Sequence, residues 1–237
     1  MNRLNGLDTL RGIAIVLMVA FHFSYDLNYF GYIKINILHD PFWLYFRILI
    51  VSIFLFCVGI SLALANKNGI NWAKVKKRAA ILGASAIAVS IGTYIVFPHG
   101  WVYFGILHAI FIFSLIGLFF INKAYISLVV GILILVVFFY FKIDMHPLFV
   151  LLAKPLHLPL HFTVDLVPVI PWFSVVLAGI ALVNLNLHKS FFNSYLLNSN
   201  TQINSTLQKL GRKSLIIYLI HQPILFGLLY IIHGVTI

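Results

Sequence analysis

Seven apolar runs constrain this chain more than any other feature. They lie near residues 8–29, 43–65, 78–97, 102–121, 125–141, 171–187 and 214–233. A helix needs about 20 mainly apolar residues to cross a bilayer core. The runs therefore describe an all-α, polytopic transmembrane helix bundle of about seven spans. Charge agrees: 9% of residues are charged, against about 25% in a soluble domain. No internal repeat or separate soluble domain is visible, so 1–237 reads as a single transmembrane domain.

Residues 142–170 are apolar but broken by Pro147, Pro155, Pro159 and Pro168. They read as a re-entrant or interfacial segment. The stretch 188–209 reads as the one polar connector. The first run is too long for a signal h-region and lacks a small-x-small cleavage site, so it is expected to stay as a span. The lone Cys57 excludes a disulfide framework.

Lys/Arg bias sets the orientation. With the N-terminus in the cytoplasm, twelve of the 16 Lys and Arg, beginning with Arg3 and Arg11, fall on the cytoplasmic side. Lys34, Arg47, Lys142 and Lys154 fall outside. The net charge of +11 is thereby a membrane-orientation signal, and no nucleic acid partner is implied. His39, His99, His146, His157 and His161 sort to outer loops. His22, His108 and His221 sort into the membrane.

The first run, LDTLRGIAIVLMVAFHFSYDLNY, is the most polar in kind. Ionisable residues inside hydrocarbon are costly and are functional candidates by default. At about 100° per residue, Arg11 and His22 lie about 20° apart after whole turns, with Asp8 and Asp26 about 60° from Arg11. All four share one stripe. Asp26 is one turn beyond His22, which predicts a carboxylate–imidazole pair and a general base; an interhelical polar clasp is the structural alternative. Depth places Arg47 and His108 near the level of His22 and Asp26. Tyr25, Asp165 and His221 are further polar groups within reach of the bundle interior.

Absences narrow the chemistry. There is no Walker loop, G-x-S-x-G, H-E-x-x-H or C-x-x-C, and no Glu at all. No metal or haem is expected, although His22 and His108 stand at depths a haem pair would need. A transporter or flippase for a small polar or lipid-linked substrate is a second reading, since intramembrane Arg, Asp and His can form a proton pathway. It lacks the inverted repeat common in such proteins. A non-catalytic membrane partner is a third.

Five stretches in order carry a resemblance: LDTLRGIAIVLMVAFHFSYDL, FRILIVSIFLFCVGISLALA, VYFGILHAI, DLVPVIPWFSVVLAGIAL and LGRKSLIIYLIHQPI. Together they resemble the heparan-alpha-glucosaminide N-acetyltransferase-like proteins in their short bacterial form. The first and last also resemble the wider membrane acyltransferase group that acetylates surface glycans. In that group an Arg and a His eleven apart on the first span are needed for transfer, and Arg11 and His22 match. The lysosomal animal members carry Asn at the His22 position and a catalytic His in the following loop, where His39 is the nearest match. The base is thus His22 or His39.

The resemblance implies acyl transfer from cytoplasmic acetyl-CoA, as co-substrate, to an amine or hydroxyl of a sugar or glycan at the outer face. Arg11, Asp8, Lys76, Lys77, Arg78 and Arg212 then become candidates for the CoA end. His22, Asp26, His39 and His108 become catalytic candidates, with Arg47 or His108 at the oxyanion. Arg47, Tyr25, Asp165, Trp172 and His221 are candidates for holding the acceptor. Direct transfer and an acetyl-His intermediate are both open, as is homo-oligomerisation. The expected setting is the lipid bilayer of a bacterial inner membrane.

Overall fold

The computed structural model describes residues 4–159, 163–192 and 201–236. Arg3, His161 and residues 193–200 of the polar connector lie outside the described residues. Among the described residues the regular structure is helical, with one isolated bridge between Phe104 and Leu166. The helices are α1 (Asn5–Tyr29), α2 (Pro41–Asn66), α3 (Trp72–Val96), α4 (Ile106–Gly117), α5 (Ala124–Phe139), α6 (His146–Leu156), α7 (Val169–Asn184), α8 (His188–Phe192), α9 (Gln202–Arg212) and α10 (Ser214–Thr236). A short 3-10 turn, Leu118–Phe120, extends α4.

Helices α1, α2, α3 and α10 are long and apolar enough to cross a membrane. Helices α4, α5 and α7 occupy the other three apolar runs but are shorter. The 16 residues of α5 or α7 reach about 24 Å at ~1.5 Å per residue, against a core of about 30 Å. The Pro-broken segment holds α6, whose 11 residues are too few to span. Wide apolar exposure on α3, α5 and α10, including Ile95, Val129 and Ile231, is what a lipid-facing surface requires. The protein is an integral membrane protein.

Internal contacts gather into two compact units, Met1–Phe54 with Lys189–Ile237, and Leu55–His188. In the first, α1 is closed by Gly31, whose φ of 78° suits the left-handed residue after a helix. Tyr32 N–H bonds back to Leu27 O at 2.9 Å in the same motif. Asp40 Oδ1 then accepts from Phe42 N–H at 2.8 Å, and Pro41 takes the first helical position of α2, where its missing N–H costs nothing.

The C-terminal part of the expected polar connector is in fact helix α9, which packs on α1. Its buried or half-buried residues are Asn204, Leu207, Gln208, Leu210 and Gly211. Leu207 and Leu210 are its apolar members at helical spacing, too few in a polar segment to make the long apolar run that marks a span. Close approach replaces apolar bulk: a Cβ on Gly12 would collide with Leu207 O, and one on Gly211 with Asp8 O. Small residues of this kind let backbones approach within a membrane. Helix α10 runs parallel to α1. The pairs His22–His221, Asp26–Gln222 and Phe30–His233 follow one another in that order, after Asp8 has met Arg212 at the end of α9.

In the second unit, Gly59 of α2 and Gly179 of α7 serve the same purpose, each facing backbone of the other helix. Phe113, Leu55, Ile60, Leu177 and Ile180 form the fully buried core. Residues 100–104 pair with 164–167 through Val164 N–H to Gly100 O at 3.0 Å and Val167 N–H to Phe104 O at 2.9 Å.

Candidate active site

The polar stripe of α1 meets α10 at its C-terminal end, inside the first unit. Asp26 is fully buried. Its Oδ1 accepts from Gln222 Nε2 at 2.7 Å. The His22 and His221 rings meet edge to face with centroids 4.8 Å apart. His22 is half-buried and His221 is buried. The expected His22–Asp26 pair does not form. His22 Nδ1 lies 3.0 Å from Met18 O, one turn back on its own helix, and Gln222 takes the carboxylate instead.

These bonds fix the tautomers. A backbone carbonyl can only accept, so Nδ1 of His22 carries a proton, and in the neutral ring Nε2 holds the lone pair. His221 follows the same rule, with Nδ1 2.6 Å from Tyr218 O. Two imidazoles in contact thus each present a basic Nε2.

Three buried acceptors here, Asp26 Oδ2, Gln222 Oε1 and His221 Nε2, have no hydrogen-bond partner among the described residues. Leaving a buried acceptor unpaired costs on the order of 1–3 kcal/mol, more for a charged group. Such groups call for an explanation, and a ligand is one. Pro223 follows directly. It removes the N–H that would bond Leu219 O, a feature tolerated in spans where other groups line a cavity.

The N-terminal end of the stripe is an ion cluster. Asp8, with 3% of its side chain exposed, holds Arg11 Nη1 at 3.3 Å and Arg212 Nε at 3.4 Å. Arg11 and Arg212 are 25% and 45% exposed, so two cations share one buried anion at an accessible edge. From Asp8 to His22 is about 21 Å along the helix at ~1.5 Å per residue.

Beyond Asp26, a cavity of about 170 Å³ is lined by Tyr25, Asn28, Tyr29, Ile35, Asn36, Ile37 and Leu38. Asn28 Oδ1 accepts from Ile35 N–H at 2.7 Å and pins the loop over it. His39 is exposed, with Nδ1 3.1 Å from Oδ1 of the cavity-lining Asn36.

The remaining expected residues are placed differently. Arg47 is exposed on α2 beside exposed Leu44, Tyr45, Ile48 and Leu49, a surface position from which a long side chain reaches headgroups. His108, in the second unit, has both ring nitrogens engaged: Nδ1 accepts from Gly105 N–H at 3.3 Å, and Nε2 lies 3.0 Å from Ser90 Oγ, whose hydroxyl donates to Val102 O at 2.7 Å. Asp165 Oδ2 accepts from Ile106 N–H at 2.8 Å and so caps α4. Trp172 is half-buried at the start of α7; Lys76 and Lys77 are exposed and Arg78 half-buried in the first turns of α3. Gln222, Asn28 and Asn36 escaped the sequence reading. The only signal for Gln222 was an amide beside an intramembrane proline.

Among the described residues no group of three or more His, Cys, Asp or Glu is placed to hold a metal ion. A family model described as heparan-alpha-glucosaminide N-acetyltransferase, catalytic, matches residues 3–223. The chain belongs to that family. The match runs from the N-terminal end of α1 through His221 and Gln222, so it includes both halves of the buried cluster. A heparan-alpha-glucosaminide N-acetyltransferase-type catalytic region makes this a membrane acetyltransferase. No curated protein and no solved structure matches the chain.

Proposed function

We propose that this protein transfers an acetyl group from acetyl-CoA to the primary amine of an amino sugar, with His22 as the base. The observation that carries this reading is the buried carboxylate of Asp26, with one oxygen free, next to an imidazole whose Nε2 holds a lone pair. A protonated amine supplies both the charge that answers Asp26 and N–H donors for Asp26 Oδ2 and Gln222 Oε1. A sugar hydroxyl brings one donor and no charge, which leaves a buried oxygen unpaired. His22 takes one proton and frees the nitrogen lone pair. The nitrogen bonds to the acetyl carbon, the C–S bond breaks, and the second amine proton ends on the CoA thiolate. The proton on His22 returns to water.

Two arrangements support a donor end and an acceptor end. Arg11 and Arg212 offer accessible guanidinium groups suited to CoA phosphates, and the pantetheine arm runs along the α1–α10 seam. The cavity beneath the 30–40 loop, with two Tyr rings and two Asn amides, suits the rest of a sugar ring. His39, beside the cavity-lining Asn36, is then an acceptor contact. With the N-terminus cytoplasmic, donor and acceptor meet from opposite faces of a bacterial inner membrane.

The test uses membranes containing the full chain and labelled acetyl-CoA. Glucosamine becomes labelled and N-acetylglucosamine, whose amine is blocked, does not. Equal labelling of both would overturn amine transfer in favour of a hydroxyl acceptor.

A further inference from the structure

Arg47 has no task in the reaction as drawn, yet it places a permanent charge on an apolar surface. It is exposed on α2 among exposed Phe42, Leu44, Tyr45, Ile48 and Leu49. Among the described residues none holds it in a hydrogen bond or an ion pair. Asp40, the nearest acid in sequence, already accepts from Phe42 N–H at the start of the helix. We propose that Arg47 binds the phosphate of a lipid-linked amino sugar, so that the acceptor reaches the cavity from the bilayer. This rests on the acetyl-transfer reading and names the class of acceptor.

Charge complementarity is the first support. A guanidinium does not shed its proton in a protein, and a bare charge at a lipid-facing position is costly. With no protein anion to answer it, Arg47 takes its counter-charge from the bilayer, where phosphate is the anion at hand. The planar fork of Arg pairs two N–H donors with two phosphate oxygens.

Placement is the second. The cavity-lining Asn36 accepts at its backbone oxygen from His39 N–H at 3.1 Å and Asp40 N–H at 2.8 Å. That turn sets the cavity wall against the first turn of α2. Arg47 lies about 9 Å further along from Pro41, at ~1.5 Å per residue. A phosphate ester on the sugar and an arginine side chain together bridge such a gap. The order also suits a lipid-linked sugar: ring in the cavity, phosphate at Arg47, hydrocarbon chain along Ile48 and Leu49.

The mouth of the cavity is the third. Tyr29 and Leu38 on its wall are exposed, and Tyr32 and Phe42 beside them are exposed as well. An exposed apolar patch of this kind marks a contact surface, and Tyr is enriched where a bilayer meets water. The cavity thus opens beside residues suited to the membrane interface.

The test compares KM values on the purified full chain in detergent, with labelled acetyl-CoA. The acceptors are the glucosaminyl phosphate ester of a long-chain alcohol, the phosphate-free glucosaminide of the same alcohol, and glucosamine. Wild type gives the phosphate-bearing lipid a KM at least roughly tenfold below that of its phosphate-free counterpart, the order expected of charged, paired hydrogen bonds. Arg47→Gln removes that advantage. Arg47→Lys, which keeps the charge without the fork, retains part of it. Lys34→Gln, at an exposed cation of the 30–40 loop, retains all of it. Matching size-exclusion profiles and melting temperatures establish that the variants are folded, and Arg47→Met serves should Arg47→Gln not fold. Equal KM values for the two lipids in wild type would mean that Arg47 meets only ordinary phospholipid headgroups, and would overturn the proposal. An advantage that survives Arg47→Gln, or that Lys34→Gln also removes, would overturn it too. In each of these cases labelling of glucosamine by wild type leaves acetyl transfer intact. Absence of labelling on all three acceptors in folded wild type would remove the reading beneath it as well.

Discussion

Gln222 of α10 donates a 2.7 Å hydrogen bond to Asp26 of α1, 196 residues away in sequence. That bond holds a fully buried carboxylate with one oxygen turned free beside two imidazoles. It joins the first and last long helices of the chain at the point where the chemistry is proposed.

Replacing the donor tests the bond. Gln222→Ala leaves Asp26 buried without its partner, and a hydrogen bond to a charged group is worth about 1.5–3 kcal/mol. Glucosamine transfer falls by roughly 10- to 100-fold at ~1.4 kcal/mol per factor of ten. KM for the amine rises and KM for acetyl-CoA stays near wild type. A change confined to acetyl-CoA would place Asp26 at the donor end instead.

The glycine seam makes a prediction about stability. Gly12→Ala or Gly211→Ala drives a methyl group into the backbone of the facing helix, and backbone cannot yield as a side-chain end does. Overpacking costs typically 1–3 kcal/mol, so the melting temperature in detergent drops. Gly227→Ala is the control: nothing lies within 4 Å of its Cβ position, so alanine is neutral or mildly stabilising. Equal melting temperatures for Gly211→Ala and Gly227→Ala would mean that α9 does not sit tightly on α1.

His108 is expected to behave as a positioning residue. Its two nitrogens tie Gly105 to Ser90 and set the start of α4. His108→Gln therefore lowers stability and reduces transfer less than tenfold, whereas loss of a general base costs about 10²- to 10⁴-fold. A thermal melt run alongside the acetyl-transfer assay separates the two. A folded His108 variant with wild-type melting and transfer reduced more than 100-fold would return this residue to the chemistry.

The long helices were legible because apolar runs announce themselves and lipid leaves a segment few alternatives. The Asp8–Arg11–His22–Asp26 stripe was legible for the same reason, since 3.6-residue geometry needs no partner. Helix α9 was not, because its packing residues, Asn204, Leu207, Gln208, Leu210 and Gly211, include only two leucines in a polar segment, and close approach at Gly211 helps to seat it. The His22–Asp26 spacing put both residues on one stretch of the α1 face but could not show that Gln222 would claim the carboxylate. Depth alone suggested His108 and Arg47 for the oxyanion. It carried no information about the Ser90 hydroxyl that engages one, or the outward face of α2 that exposes the other.

The central claim is that His22 is the base for acetyl transfer to an amine. The most direct measurement is the rate at which labelled acetyl-CoA acetylates glucosamine in membranes carrying wild type, His22→Ala or His39→Ala, at matched protein level. His22→Ala is expected to lose at least 100-fold, while His39→Ala, at an exposed position, retains most of the maximal rate and weakens the acceptor's KM. Wild-type rates from His22→Ala together with loss in His39→Ala would contradict it and move the chemistry to the loop.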